Sequence, residues 1–175
     1  VILVDEKNNE LEYVPKDTVH TTDTPLHRGF SVFLFNAKGE LLVTRRSESK
    51  KTFPGVWTNT VCGHPQPGER SLEAAKRRLR EELGIEPEFI KKVADYRYRF
   101  SDANGIIENE ICPVFVAYGN TDPRPHPDEI AEWRWMDWQE FLDDIHAHSS
   151  LYSPWSKEEA MFVMKELHVS GFPQR

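Results

Sequence analysis

The stretch from Gly63 to Ile85 holds the densest run of chemically useful side chains in the chain. It reads Gly63, five residues, Glu69, seven residues, then Arg77-Arg78-Leu79-Arg80-Glu81-Glu82-Leu83-Gly84-Ile85. Taken alone, such a helix has a bland reading. Arg77–Glu81 and Arg78–Glu82 are i,i+4 surface pairs, each worth only a few tenths of a kcal/mol. Further along, Glu108 and Glu110 stand two residues apart in an apolar segment. On a strand both carboxylates face the same side. Cys62, just before the first stretch, is either a small buried hydrophobe or a group that exchanges a proton. Basic residues cluster at Arg45, Arg46, Lys50 and Lys51, and again at Lys76, Arg77, Arg78 and Arg80. Those clusters suit an anionic small molecule.

The elements that must hold these groups alternate between strand and helix patterns. Residues 1–4 and 10–14 read as short strands around the polar turn Asp5–Asn9. Phe30–Phe35 is a buried strand, and Leu41–Thr44 follows the turn Asn36–Gly39. Val56–Val61 reads as one short strand running into Cys62-Gly63-His64-Pro65. A helix covers Ser71–Leu83, with Ser71 as its cap, Leu72, Ala75, Leu79 and Leu83 as its apolar stripe, and Gly84 as its stop. Residues 90–101 and 106–117 form a hairpin across Asp102-Ala103-Asn104-Gly105. Glu132–Met136 is another strand. Asp137 with Glu140 starts a helix in the manner of a capping box, and Ser153-Pro154 opens the last helix. The expected fold is α/β (α+β): one layered domain over residues 1–175.

Composition narrows the classes. A chain of 175 residues, 38% apolar and 29% charged, favours one globular core. The net charge of −7 argues against a nucleic-acid surface, although a local basic field still admits an anionic substrate. No apolar run approaches the roughly 20 residues of a membrane span. Two cysteines and no secretory pattern point to a cytoplasmic protein with reduced thiols.

The Gly63–Ile85 stretch resembles the Nudix box, G-x5-E-x7-R-E-U-x-E-E-x-G-U with U apolar. Gly63, Glu69, Arg77, Leu79, Glu81, Glu82, Gly84 and Ile85 match, and Arg78 departs from it where the box has Glu. The rest of the chain resembles the type 1 isopentenyl-diphosphate isomerases. The runs that carry this are Trp57-Thr58-Asn59, Val61-Cys62-Gly63-His64-Pro65, Glu108-Asn109-Glu110-Ile111-Cys112-Pro113 and Ser153-Pro154-Trp155, with His20 and His27 upstream. The resemblance spans about residues 13–165. It implies a Nudix-like α/β/α layered domain with a mixed sheet. It also implies conversion of isopentenyl to dimethylallyl diphosphate in isoprenoid biosynthesis. The partner is then a small allylic or homoallylic diphosphate, with no nucleic acid and no membrane. Whether the protein is a monomer or a homodimer stays open.

Residue by residue, the resemblance makes His20, His27, His64, Glu108 and Glu110 the ligands of Mn²⁺ or Mg²⁺. Zn²⁺ accepts the same donors. Glu82, with the Cys62 backbone carbonyl, would hold a Mg²⁺ on the diphosphate. Lys16, Arg46, Lys50 and Arg78 would bind the diphosphate, whereas Lys51 and Arg80 read as solvated charges. Cys62 and Glu110 would be the acid–base pair on opposite faces of the substrate, with Tyr98 beside Glu110. Glu110 with Tyr98 is favoured as proton donor and Cys62 as the group handling the C2 proton, a direction the sequence does not settle. Trp155 would face the carbocation, with Trp57 also available to line the pocket. His126, His146, His148 and His168 match nothing and read as surface residues. The competing reading is a Nudix hydrolase of a diphosphate, which leaves Cys62, Arg78 and the His/Glu set unexplained.

Overall fold

The structure is a computed structural model and describes residues 1–170, with side chains through residue 168. The expected domain limit at residue 175 lies outside the described residues. In chain order the strands are β1 (Ile2–Val4), β2 (Glu10–Tyr13), β3 (His27–Arg28), β4 (Phe30–Phe35), β5 (Glu40–Arg46), β6 (Trp57–Thr58), β7 (Val61–Gly63), β8 (Phe89–Ser101), β9 (Ile107–Tyr118) and β10 (Ile130–Asp137). The helices are α1 (Lys16–Val19), α2 (Ser71–Leu83), α3 (Trp138–Ala147) and α4 (Pro154–Ser170).

One mixed sheet joins the strands in the order β10-β5-β4-β9-β3-β1-β2. The pairs β3–β9 and β4–β9 are parallel, and the other pairs are antiparallel. The nearly all-apolar β4, interrupted only by Ser31, is explained by burial on both faces. Phe30, Val32 and Leu34 pack with the α2 residues Ala75, Leu79 and Leu83. Phe33 and Phe35 pack on the other side with Phe141 and Ile145 of α3 and Ala160 and Val163 of α4. This is the α/β/α layering that the resemblance implied.

Two local expectations are corrected. Val56–Val61 is not one strand: β6 pairs with β5, then the chain turns at Asn59-Thr60, and β7 pairs with β4. Asn59 and Thr60 instead spend their side chains on backbone carbonyls of the flanking strands, Val32 and Leu42. Ser71 is the first helical residue, and Arg70 occupies the cap position without a side-chain cap bond. The short elements α1 and β3 lack the periodicity that would have revealed them. At α3 the cap behaves as expected, with Asp137 accepting from the Gln139 and Glu140 amides.

Because β4 leaves β5 after Phe35↔Leu41 and takes β7 as its neighbour at Phe30–Val32, the sheet opens at this point. Ser31 has Cys62 on one side and β9 on the other. β7, which carries Cys62, and β9, which carries the carboxylates, therefore flank β4; Val114 of β9 stands opposite Ser31, and Glu110 lies four residues further back along β9, opposite His27 of β3.

Candidate active site

The period of a strand sets the first half of the site. Glu108 and Glu110 project from one face of β9, and His27 on β3 lies in register with Glu110. His20 follows α1 and His64 follows β7. His20 Nε2 lies 3.0 Å from Glu108 Oε2, and His64 Nε2 lies 2.9 Å from Glu110 Oε1. The three imidazole centroids are 5.1–5.4 Å apart. One donor atom from each of these five residues lies within 4.8 Å of all the others. Opposite ligands around an ion bound at about 2.1 Å stand roughly 4.2 Å apart, so the spacing suits a divalent ion.

The hydrogen bonds also favour a cation there. His27 Nδ1 donates to the Pro25 carbonyl at 2.8 Å, which leaves Nε2 as a lone pair. That Nε2 is buried without a hydrogen-bond partner and faces Glu110 Oε1 at 3.4 Å. Two electron-rich atoms pointed at each other call for a positive charge. Burial opposes charge on His27, yet Glu110 outweighs it and raises the imidazole pKa. Burial also opposes ionisation of Glu110, but His27 and His64 hold its carboxyl well below the usual range. His64 itself is pushed down to about 4, chiefly by burial.

Glu110 Oε2 accepts from the Tyr98 hydroxyl at 2.9 Å. Tyr98 stacks on Trp155 with centroids 5.8 Å apart and planes 19° apart, and Phe53 meets the same indole edge-on at 5.0 Å. These rings, with Cys112 and the partly buried Cys62, form one apolar cluster. The cavity they border has a volume of about 550 Å³, and Cys62, Tyr98, Glu110 and Trp155 all line it. Trp57 lies elsewhere, under the Arg134 guanidinium and against Tyr152. Burial, above all, pushes the Cys62 thiol up to about 12. Burial thus favours the protonated thiol at Cys62, while His27 and His64 favour the carboxylate form of Glu110.

The other end of the cavity is cationic. Lys16, Arg46, Lys50 and Lys51 line it, together with Glu129. Arg46 is fixed by the Thr52 and Phe53 carbonyls, at 2.8 and 3.1 Å, and its guanidinium lies 5.6 Å from the Trp155 centroid. Arg78 reaches Glu82 at 2.6 Å and Glu129 at 3.0 Å, and Glu129 also pairs with Lys50. Burial opposes ionisation of Glu129, but Lys50 and Arg78 hold its carboxyl at about 2. Burial raises the Glu82 carboxyl, against the pull of Arg78. Cys62, Glu82 and Glu129 share a small recess beside Lys50 and Arg46. Arg80 is exposed and pairs with Glu86, as its surface reading requires. Lys51 is exposed as expected, but it borders the cavity and donates to the Asp17 carbonyl. His126, His146, His148 and His168 are all exposed.

Sequence reasoning overlooked five residues around the site. Glu129 has no motif of its own. Thr52 donates to Glu108. Asn59 accepts from Cys62 Sγ at 3.2 Å. Ser31 lies 3.5 Å from the same sulfur. Gly29 gives Glu110 its space, and a glycine entering a strand is a known signal for such close approach.

Comparison with known proteins agrees with this geometry. Residues 25–156 match the NUDIX domain. The chain is 48% identical over 177 residues to the isopentenyl-diphosphate Delta-isomerase of Shigella boydii serotype 18, covering 99% of this chain and 96% of that one. It is 49% identical to that of Citrobacter koseri over 172 residues, 95% of each. A Deinococcus radiodurans crystal structure superposes with TM-score 0.72 at 25% identity, over 91% of this chain and 96% of that one. The MutT protein of Methanosarcina mazei gives 0.66 at 24%, over 81% and 96%, and supports the fold alone. Family model and relatives span the site from both sides, and the chain belongs to the isopentenyl-diphosphate Delta-isomerase family of NUDIX domain proteins.

Proposed function

We propose that the chain isomerises isopentenyl diphosphate to dimethylallyl diphosphate by adding a proton at one alkene carbon and removing one from a neighbouring carbon. The observation that carries this reading is a single cavity bordered by Cys62 and Glu110 on strands flanking β4, with a cationic end for the diphosphate. Arg46, Lys16 and Lys50 bind the phosphates, and Arg78 approaches from α2. The hydrocarbon lies against Trp155 and Tyr98. Cys62 holds a proton at Sγ at rest and gives it to the terminal alkene carbon. Glu110, with the Tyr98 hydroxyl on its Oε2, takes the proton from C2. The Trp155 face stabilises the cationic centre between the two steps, and the apolar cluster of Phe53, Tyr98 and Trp155 limits the water that could capture it.

His20, His27, His64, Glu108 and Glu110 would hold Mn²⁺ or Mg²⁺, and Zn²⁺ suits the same donors. Glu82 and the Cys62 carbonyl would hold a Mg²⁺ shared with the diphosphate. Bound divalent ions supply the positive charge that orders these carboxylates and screens the phosphates. No helix among the described residues is long and apolar enough to cross a membrane. The two free thiols suit a reducing, cytoplasmic setting.

Incubation with isopentenyl diphosphate and Mg²⁺, followed by NMR, tests the reading. Dimethylallyl diphosphate is the expected product. Release of phosphate without isomer would instead support a hydrolase.

A further inference from the structure

Glu159 is a buried acid that the chemistry above does not use. It is 0% exposed on α4, and its Oε1 accepts from the Ser31 hydroxyl at 2.8 Å. Its Oε2 has no hydrogen-bond partner, and among the described residues no cation pairs with it. An isolated buried carboxylate is costly, so such a group stays protonated. Burial accordingly raises its carboxyl well above the usual range.

Ser31 is also fully buried, on β4 between the two cysteines. Its oxygen lies 3.5 Å from Cys62 Sγ and 3.4 Å from Cys112 Sγ. A serine hydroxyl has one proton. With that proton committed to Glu159, only the oxygen's lone pairs face Cys62. Asn59 offers the same sulfur another acceptor at 3.2 Å, while its amide is held by the Val32 and Val61 carbonyls. Cys62 thus meets two fixed acceptors, its single S–H proton serves one of them at a time, and the pair holds Sγ in place beside the cavity.

We propose that Glu159, acting through Ser31, is a positioning residue that fixes the orientation of the Cys62 thiol for the isomerisation; this rests on the function proposed above. Glu159 works as a neutral acceptor: what matters is its carbonyl-like Oε1, and its charge is not used. Glutamine has the same acceptor in the same place, whereas leucine has similar bulk and no acceptor.

The test is steady-state kinetics with isopentenyl diphosphate on Glu159→Leu, Glu159→Gln, Ser31→Ala and the Ser31→Ala/Glu159→Leu pair, each checked for folding by thermal melting. Misplacing a reacting group by about 1 Å costs up to about 100-fold. Glu159→Leu and Ser31→Ala should lower kcat about 10- to 100-fold with KM little changed, and Glu159→Gln should recover most of the loss. The double variant should be no slower than the worse single one, because the two residues act as one unit. The proposal is overturned by a folded Glu159→Leu with near wild-type kcat, by a glutamine variant as slow as the leucine one, or by multiplying losses in the pair. If the leucine variant does not fold, a wild-type kcat in Ser31→Ala overturns it just as well. A wild-type protein that does not isomerise the substrate would instead remove the functional reading itself.

Discussion

Gly29 lies so close beneath the Glu110 carboxylate that a β-carbon at position 29 would occupy the carboxylate's place. Its amide donates to the Ile111 carbonyl at 3.0 Å, which keeps this segment tight against β9. Even a methyl group must therefore push Glu110 away from Tyr98, His64 and His27. Gly29→Ala should lower kcat about 100-fold, the usual result of misplacing a reacting group by about 1 Å. Steady-state kinetics on the folded variant would check this. An unaltered kcat would mean that Glu110 has room to move, or that its placement is not needed.

Arg78 neutralises Glu82 and Glu129, of which Glu129 lines the cationic end of the cavity, and stands just behind that lining. Arg78→Ala should raise KM for isopentenyl diphosphate more than it lowers kcat, because an anchor binds ground and transition states alike. The loss should be about 1.5–3 kcal/mol, the range for a hydrogen bond to a charged group. Because Glu82 is only 4% exposed, losing its partner should also lower the melting temperature. Unchanged KM with a lowered melting point would make Arg78 purely structural.

Removal of metal should loosen the N-terminal segment unevenly. His20 is anchored through its contact with Glu108, but the next residues have other supports. The Ile107 amide donates to Thr21, and the Asn109 side chain donates to Thr24. Chelation should therefore abolish turnover and increase proteolysis chiefly near residues 15–20, and less at 21–28. Mass spectrometry of the fragments reads this directly. Identical cleavage with and without chelator would argue that no ion organises the segment.

Cys62 should behave as a poorly ionised thiol. Its pKa is raised from an ordinary 9.0 to about 12, so the thiolate fraction near neutral pH is small and grows as pH rises. Alkylation by iodoacetamide at pH 8 should be at least about 100-fold slower in the native protein than in urea, and it should accelerate steadily with pH. Rapid alkylation that levels off near neutral pH would show a resting thiolate instead.

Much of the site was legible because its residues sit in short local runs. The spacing of Glu108 and Glu110 needs only a strand, and the α2 pattern needs only a helix. What stayed hidden depends on contacts across the fold. Ser31 and Glu159 are 128 residues apart and meet only because α4 crosses β4. Glu129 joins Lys50 and Arg78 through a loop with no periodic signal. The break between β6 and β7 was missed because Trp57, Thr58, Thr60 and Val61 suit a strand and outweighed the turn signal of Asn59, while the Asn59 and Thr60 side chains bond to neighbouring backbone. The upward push on the Cys62 thiol was invisible because burial causes it, and burial is a tertiary property.

In the proposed isomerisation, protons are exchanged with the protein at two different carbons of the substrate. The most direct measurement is proton and carbon NMR of isopentenyl diphosphate incubated with the enzyme in D₂O. Dimethylallyl diphosphate should form with solvent deuterium in a methyl group derived from the terminal alkene carbon, and Cys62→Ala and Glu110→Gln should each slow its formation by about 10²–10⁴-fold. Product formed without deuterium, or phosphate released in place of an isomer, would contradict the account.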